Sequence, residues 1–484
     1  MTAYQSTPLS SFSGIRSGLF NAYAQGKTRD ITFRKQQLLQ LAYMFQDNKD
    51  RLWEVLAADL GRNFNETEYL EYVAIANHAM RAYENVEKWA KPDSPAFSLN
   101  TFPMSPRTLK QPKGVVLIIG PFNYPIFCVA VPLIGAIAAG CAVYLDPSLY
   151  TVVNGGVPET TALLDLRWEH IFFTGGTRVG KIVAAAAAKH LTPLGGKNPT
   201  IVDKDCDFDA SARKILWGKL VNAGQTCTAP DYIMVVPEAH DKLVAAFTKA
   251  HKQFFPDANS EAKEMTRIIN AASFTRLSDM LERTSGKIVI GGKRDPSNNW
   301  LSTTIVDKCS FDDSLMKEEL FGPLLPIVTV ASIEEAVSHV AAGEHPIGCY
   351  IFSKNKKVID YVYKNTISGS VVVNDTVLQA GIYGIAFGGI GSSGYGSNGG
   401  KYAFDTFTQL RGSLQFPFWL ENIMSHRYPP YTVEKLEQID KALLKSIPYP
   451  RPGSRQTTTW DKLAAAATLA AVCGILFDFL AKHK

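Results

Sequence analysis

Val115 Val116 Leu117 Ile118 Ile119 Gly120 Pro121 Phe122 Asn123 Tyr124 Pro125 is the stretch on which the reading of the fold turns. Five aliphatic residues make a short strand, Gly120 and Pro121 break it, and small and apolar residues then continue at helical spacing to Gly140. Strand, glycine turn and helix open a nucleotide-binding α/β unit. Working outward, residues 142–145 and 170–173 repeat the strand texture. The second of these ends in Thr174 Gly175 Gly176 Thr177 Arg178 Val179 Gly180, ahead of an Ala-rich helical stretch at 181–189. A glycine turn that opens a helix leaves backbone N–H groups free to hold a pyrophosphate. By itself such a turn fits a ligand-free βα connection equally well.

The chain has 484 residues, more than one core usually supports, so two or three domains are expected. Hydrophobic residues at 46% and aromatic residues at 11% belong to a folded globular chain. A net charge of +5 without any basic run argues against a nucleic-acid partner. Seven scattered cysteines without CxxC spacing argue against a disulfide framework or a metal site and fit reduced thiols facing the cytosol. Residues 1–20 are polar and Ser-rich, with none of the apolar core of a secretory leader. Residues 463–481 are apolar apart from Thr468 and Asp478 and are followed by Lys482 His483 Lys484. Their length is near the roughly 20 residues that span a bilayer, which predicts a membrane helix; an Ala-rich helix packed on the protein surface is the alternative.

Residues 31–89 carry helical spacing, and Pro-rich 91–112 reads as a boundary or an exposed β-arm. Strand-like 200–202, helical 208–220, strand-like 232–236 and helical 240–255 begin a second α/β alternation that runs to about residue 373. Within it lies Val221 Asn222 Ala223 Gly224 Gln225 Thr226 Cys227. The spacing presents Cys227 at a loop-to-helix junction, where N–H groups and the helix dipole would lower its pKa and make it a nucleophile. A buried structural thiol is the competing reading. Two places lack room for the expected elements. Only about five residues separate the strand at 142–145 from strand-like 151–153, where a parallel crossover needs a dozen or more. Between the Ala-rich helix and Gly195 Gly196 the connection is equally short.

Together these motifs resemble the aldehyde dehydrogenase superfamily. Asn222 to Cys227 is similar to its Asn-x-Gly-Gln-x-Cys motif, Pro121 to Pro125 to its Pro-aromatic-Asn-aromatic-Pro turn, Glu319 to Pro323 to its Glu-x-Phe-Gly-Pro, and Phe387 Gly388 Gly389 to its late Phe-Gly-Gly turn. Asn154 to Glu159, Trp217 Gly218 Lys219, Gly400 Lys401 Tyr402 and Arg427 to Tyr431 resemble the class 3, fatty-aldehyde branch. The resemblance implies an α/β fold with a Rossmann-type NAD-binding domain, an α/β catalytic domain, a small β oligomerisation arm and a C-terminal apolar helix. It implies a helical part of the cofactor domain at 1–96, the arm at 97–113, a Rossmann-type part at 114–200 lacking one crossover helix, the catalytic domain at 201–390, an extension with an oligomerisation strand at 391–455, and a membrane helix at 460–484. It also implies a homodimer, membrane-associated and cytosol-facing, with a purely cytoplasmic protein as the alternative.

By the same resemblance Cys227 attacks an aldehyde, and the Cys227 N–H and Asn123 hold the oxyanion. Gly175 and Gly180 approach the pyrophosphate of NAD or NADP, Glu319 bonds the nicotinamide ribose and Phe321 packs by the ring. Two family elements are absent. Leu145 Asp146 Pro147 Ser148 Leu149 stands for the family's Leu-Lys-Pro-Ser-Glu, whose Lys and Glu hold the adenosine ribose. Pro193 stands where the family has the glutamate that activates water, and a proline cannot act as a base. The expected function is NAD(P)-dependent oxidation of long-chain or otherwise apolar aldehydes through a Cys227 thioester, impaired at hydrolysis. The alternatives are a catalytically dead membrane-attached scaffold, or thioester and esterase chemistry without efficient hydrolysis. A misassembled gene, a diverged inactive chain and altered chemistry each explain the two losses.

Overall fold

The structure, a computed structural model, describes residues 6–94, 107–142, 152–176, 179, 180, 182, 183, 196–257, 260–390, 393, 394, 396–425, 428–430, 432–435 and 438. It divides into one unit of residues 1–93 with 108–411 and a second of 94–107 with 412–484. The sequence expectations for the stretch 143–151, for Pro193 and for the apolar segment 463–481 lie outside the described residues, as does most of the expected arm. Among the described residues no helix is long and apolar enough to cross a membrane.

The first unit has two hydrophobic cores. One begins with helices Phe12–Ala24, Ile31–Asp47, Lys49–Leu60 and Val73–Ala90. The Asp30 carboxylate caps Ile31–Asp47 by accepting from the Thr32 N–H at 2.9 Å, and Gly61, with φ 62°, ends Lys49–Leu60 in the left-handed turn that glycine adopts freely. Leu38, Leu41, Ile75, Ala79 and Val86 are buried on the facing sides of these helices. They meet helix Phe127–Ala139, which is apolar on nearly every face because it lies inside this core.

Strand β1 (Arg107–Pro112) precedes β2 (Val116–Ile119), which pairs in parallel with β3 (His170–Phe173) from Val116↔His170 to Ile119↔Phe173. Val115 makes an isolated parallel bridge to Ala142. Strand-like residues 151–153 are not borne out where they are described. Val152 and Val153 are irregular, and a helix follows at Val157–Leu164, beyond the short gap at 146–150, which itself lies outside the described residues. Gly155 and Gly156 interrupt the aliphatic run, and the Glu159 carboxylate accepts from the Gly156 N–H at 2.7 Å to start that helix.

The second core surrounds seven strands: β4 (Pro199–Val202), β5 (Tyr232–Val235), β6 (Lys287–Ile290), β9 (Thr304–Asp307), β10 (Leu324–Thr329), β11 (Gly348–Phe352) and β12 (Ser370–Val373). A separate hairpin joins β7 (Arg294–Asp295) to β8 (Trp300–Leu301), and β13 (Thr408–Ser413) pairs with β1. The large sheet runs β12-β11-β4-β5-β10-β9-β6, parallel throughout except for antiparallel β6. β4, β5, β9 and β11 are buried along their whole length, as parallel strands covered on both faces must be. That explains the aliphatic centres of these strands, Ile201 and Val202 in β4 and Ile305 and Val306 in β9 among them.

Candidate active site

Helix Phe208–Leu220 is capped by the Asp207 carboxylate, which accepts from the Ala210 N–H at 3.0 Å. Past its end Asn222, Ala223 and Gly224 take φ values of 52°, 52° and 72° in succession. Only glycine adopts this conformation without cost, so the first two residues must be held. Asn222 is held from three sides. Its amide donates to the Asn123 and Gln225 carbonyls at 3.0 Å each, its Oδ1 accepts from Arg62 at 2.9 Å, and its N–H donates to Glu66 at 3.3 Å. Gln225 donates to the Asn222 and Arg267 carbonyls at 3.1 and 2.9 Å and accepts from the Ile269 N–H at 3.0 Å.

Cys227 follows in a turn that leads directly into β5, not at a helix N-terminus. The expectation of a thiol activated by a helix dipole is therefore corrected. Burial pushes the Cys227 thiol up to about 12, and the nearby Glu319 carboxylate adds to the shift. Asn198 fixes the turn: its amide donates to the Cys227 and Ala229 carbonyls at 2.7 and 3.0 Å, while its Oδ1 accepts from the Gly348 N–H at 2.8 Å. Sequence reasoning missed Asn198, because an asparagine beside a strand carries no signal of which distant loop it holds.

The structure brings Asn123 to this turn. Its amide donates to the Gln225 carbonyl at 2.8 Å, and the Tyr124 hydroxyl bonds the Thr226 hydroxyl at 2.9 Å. Beneath both lies the buried Arg62, paired with Glu71 and donating to the Asn123 carbonyl. Glu71 also accepts from the Ile126 and Phe127 N–H groups at 3.0 and 2.8 Å, so one ion pair anchors the start of helix Phe127–Ala139 and both turns. Nothing in the spacing of Arg62 and Glu71 marks them.

The Glu319 segment packs on the other side. A Cβ on Gly224 would sit 2.3 Å from the Gly322 carbonyl oxygen, so the two loops meet at backbone distance. Asp231 is the tie: its carboxylate pairs with Lys197, lies 3.6 Å from the buried Lys219 and accepts from the Leu320 N–H at 3.1 Å. Burial and the Asp231 charge raise Glu319 to about 8 against the pull of Lys219, Lys197 and Arg276, and burial lowers Lys219 to about 8. Among the described residues no hydrogen bond from the protein reaches the Glu319 carboxyl oxygens. Phe321, at φ 50°, meets the Phe122 ring edge-on at 6.1 Å between centroids.

Cys227 opens into an apolar cavity of about 250 Å³ whose walls include Val73, Phe127, Cys128, Val377, Leu378 and Phe387. Gly175 and Gly180 are not brought to this cavity. They stand beyond β3, where a Cβ on Gly175 would strike the Phe173 ring at 2.5 Å and the Gly180 N–H donates to the Gly176 carbonyl at 3.1 Å. Gly176 between them has open space on its free side. That open backbone suits a phosphate, and the unsatisfied Glu319 carboxyl suits a sugar hydroxyl, so the residues present fit a dinucleotide. Among the described residues no three His, Cys, Asp or Glu side chains cluster to hold a metal. A groove of about 490 Å³ at Asp203, Ser332 and Asn355 contains none of the sequence-predicted residues.

Residues 21–157 and 149–412 match the aldehyde dehydrogenase family. The chain belongs to the aldehyde dehydrogenase family. It is 39% identical over 434 residues to the dimeric NADP-preferring aldehyde dehydrogenase of Canis lupus familiaris, covering 84% of this chain and 95% of that one. Aldehyde dehydrogenase family 3 member A2 of Mus musculus is 38% identical over 454 residues, 89% of this chain and 93% of that protein. Among solved structures, the aldehyde dehydrogenase fold matches substrate-bound AldH of Staphylococcus aureus with a TM-score of 0.85 at 33% identity, over 90% of this chain and 99% of that one. The NAD+ complex of a Mycobacterium tuberculosis aldehyde dehydrogenase shares the fold with a TM-score of 0.76 at 21% identity, over 85% and 91% of the two chains.

Proposed function

We propose that this aldehyde dehydrogenase oxidises apolar aldehydes to carboxylic acids with NAD or NADP, through a thioester on Cys227, and that it stalls at hydrolysis. The observation that carries the reading is the Cys227 side chain in an apolar cavity of about 250 Å³, bordered by the Asn123 turn. That is space for about eight waters at ~30 Å³ each, enough for an aliphatic chain with its carbonyl at the thiol. The partly exposed Cys227 thiol yields its proton to solvent, and the sulfur adds to the carbonyl carbon. The Cys227 N–H and the Asn123 amide then donate to the new oxyanion, and either donor is worth roughly a hundredfold or more in rate. Asn222 and Arg62 hold the Asn123 carbonyl, which fixes the turn that carries this amide. A bound nicotinamide supplies the hydride acceptor; Gly176, Gly180 and Glu319 are the residues that would hold its dinucleotide.

Release of the acid needs a base to take a proton from water. The residue in that place by resemblance is Pro193, and a positioned base contributes about two to four orders of magnitude. The acyl group therefore stays on Cys227 after one turnover. Dimerisation, supported by the dimeric relative from Canis lupus familiaris, and attachment to a membrane through residues 463–481, supported by the apolar composition of that segment, belong to the same proposal; deletion of the segment should move the protein from the membrane fraction to the supernatant.

Rapid mixing with octanal and NAD tests the chemistry. A burst of NADH of about one per subunit, absent in Cys227→Ala, is expected, with a Cys227 acyl adduct in the intact mass. Wild-type protein that gives neither burst nor adduct refutes the proposal and leaves the catalytically dead scaffold, the second reading favoured by Pro193.

A further inference from the structure

Tyr350 lies on β11 without solvent exposure, and its hydroxyl is where three segments meet. It donates to the carbonyl of Thr228, the residue after Cys227. It accepts from the Val377 N–H at 3.4 Å and from the Gln379 amide at 2.9 Å. Space for this junction is made two residues earlier on the strand. A Cβ on Gly348 would lie 3.1 Å from the Tyr350 hydroxyl and 3.3 Å from the Gln379 amide nitrogen.

The far side of the junction is strained. Val377 has φ 64° and ψ −39°, a conformation that a β-branched residue avoids. The Leu378 N–H donates to the Thr376 carbonyl at 2.6 Å, closing a tight three-residue turn around Val377. Strain of this kind persists only where the surroundings over-determine it. Here the Val377 N–H is tied to Tyr350, and the Thr376 hydroxyl to the Lys214 carbonyl at 3.0 Å. Val377 and Leu378 line the same apolar cavity as Cys227.

We propose that Tyr350 is a positioning residue whose hydroxyl locks the strained Val377 turn in register with the Cys227 turn. The apolar wall and the attacking sulfur are thereby set as one unit. The inference rests on the reading of Cys227 as the nucleophile of an apolar aldehyde. It goes beyond it in naming what selects the substrate. A long aliphatic chain takes its orientation from the wall, so its carbonyl reaches the sulfur correctly only while wall and sulfur stay registered; a short chain does not touch the wall and is indifferent.

The test uses the full chain and alkylation of Cys227, read by peptide mass so that Cys128 in the same cavity is counted separately. N-octylmaleimide and N-ethylmaleimide are the probes, and neither needs a working turnover. Tyr350→Phe keeps the buried ring and removes only the hydroxyl. It is expected to lower the octyl-to-ethyl rate ratio at Cys227 about tenfold or more, since loss of alignment by about an ångström costs up to a hundredfold. Gln379→Met strips one partner from the hydroxyl and leaves Tyr350 in place. It should shift the ratio in the same direction by less, and it carries the test if Tyr350→Phe does not fold. An unchanged ratio, or equal loss with both probes, overturns the inference and leaves Tyr350 a structural residue. Failure of the dehydrogenase reading shows separately, as absence of the octanal burst in wild-type protein whose alkylation ratio still responds to the variants.

Discussion

Replacing Arg62 by methionine removes the cation under both turns of the site and keeps most of the volume of its stem. Arg62 is 2% exposed, pairs with Glu71 and donates to the Asn123 carbonyl and to Asn222 Oδ1. Breaking a buried pair by taking one partner costs about 3–5 kcal/mol, because the other charge is left without compensation. With an unfolding entropy of about 2.1 cal/mol/K per residue, a unit of this size loses roughly 1 °C per kcal/mol, so melting should fall by on the order of 5 °C. The pH dependence has a definite sign. Burial already raises Glu71 above the ordinary carboxylate value of 4.5, and Arg62 is the largest influence pulling it down. Without Arg62 the folded pKa rises further. A raised carboxyl penalises the fold only where the unfolded chain is ionised, so the penalty is larger at pH 8 and shrinks as the pH falls toward 4.5. Thermal melts of Arg62→Met and of Arg62→Met with Glu71→Gln, at pH 8 and pH 5, measure this. The double variant should recover part of the loss and flatten its pH dependence. A single variant that melts within 2 °C of wild type at pH 8, or loses more at pH 5, refutes the reasoning.

Three further outcomes follow from the same geometry. With Cys227 raised to about 12, iodoacetamide alkylation of the cofactor-free protein should climb about tenfold per pH unit from 7 to 10; a plateau below pH 9 would show an activated thiolate instead. Glu319, lifted from 4.5 to about 8, disfavours the fold progressively as pH rises through that window, so Glu319→Gln should gain a few kcal/mol at pH 8 relative to pH 5, at ~1.4 kcal/mol per unit; denaturant titrations that show a loss at pH 8 contradict the assignment. Gly224→Ala meets both a φ of 72° and the Gly322 oxygen at 2.3 Å. It should lower the melting temperature by several degrees and abolish the octanal burst, and wild-type values for both would show that the loops are not in backbone contact.

Legibility in the sequence followed the range of the interactions. β3 and helix Phe208–Leu220 fall on the predicted residues, since apolar runs and an Asp207 cap are local signals. The Asn123, Cys227 and Glu319 motifs were each readable, and the structure does bring their turns together. What failed was local inference about a non-local property. A cysteine after a glycine turn resembles a helix start, yet Cys227 lies in a turn ahead of β5, where Asn198 and Tyr350 hold the carbonyls of Cys227 and Thr228. The aliphatic pair Val152 and Val153 resembles a strand, yet the following glycines and Glu159 start a helix instead.

The chain alone determined the family, and by resemblance it marked Cys227, Asn123 and Pro193 as the places where a nucleophile, an oxyanion donor and a base are expected, because these depend on which chemical groups stand in which order. The tertiary structure decided the state of those groups. The high pKa of the Cys227 thiol comes from burial and from Glu319, which lies 92 residues along the chain. Arg62 holds Asn123, and Tyr350 joins Thr228 to Val377. Desolvation and hydrogen bonding depend on distances in space, and neighbours brought together across a hundred residues leave no periodicity in the sequence.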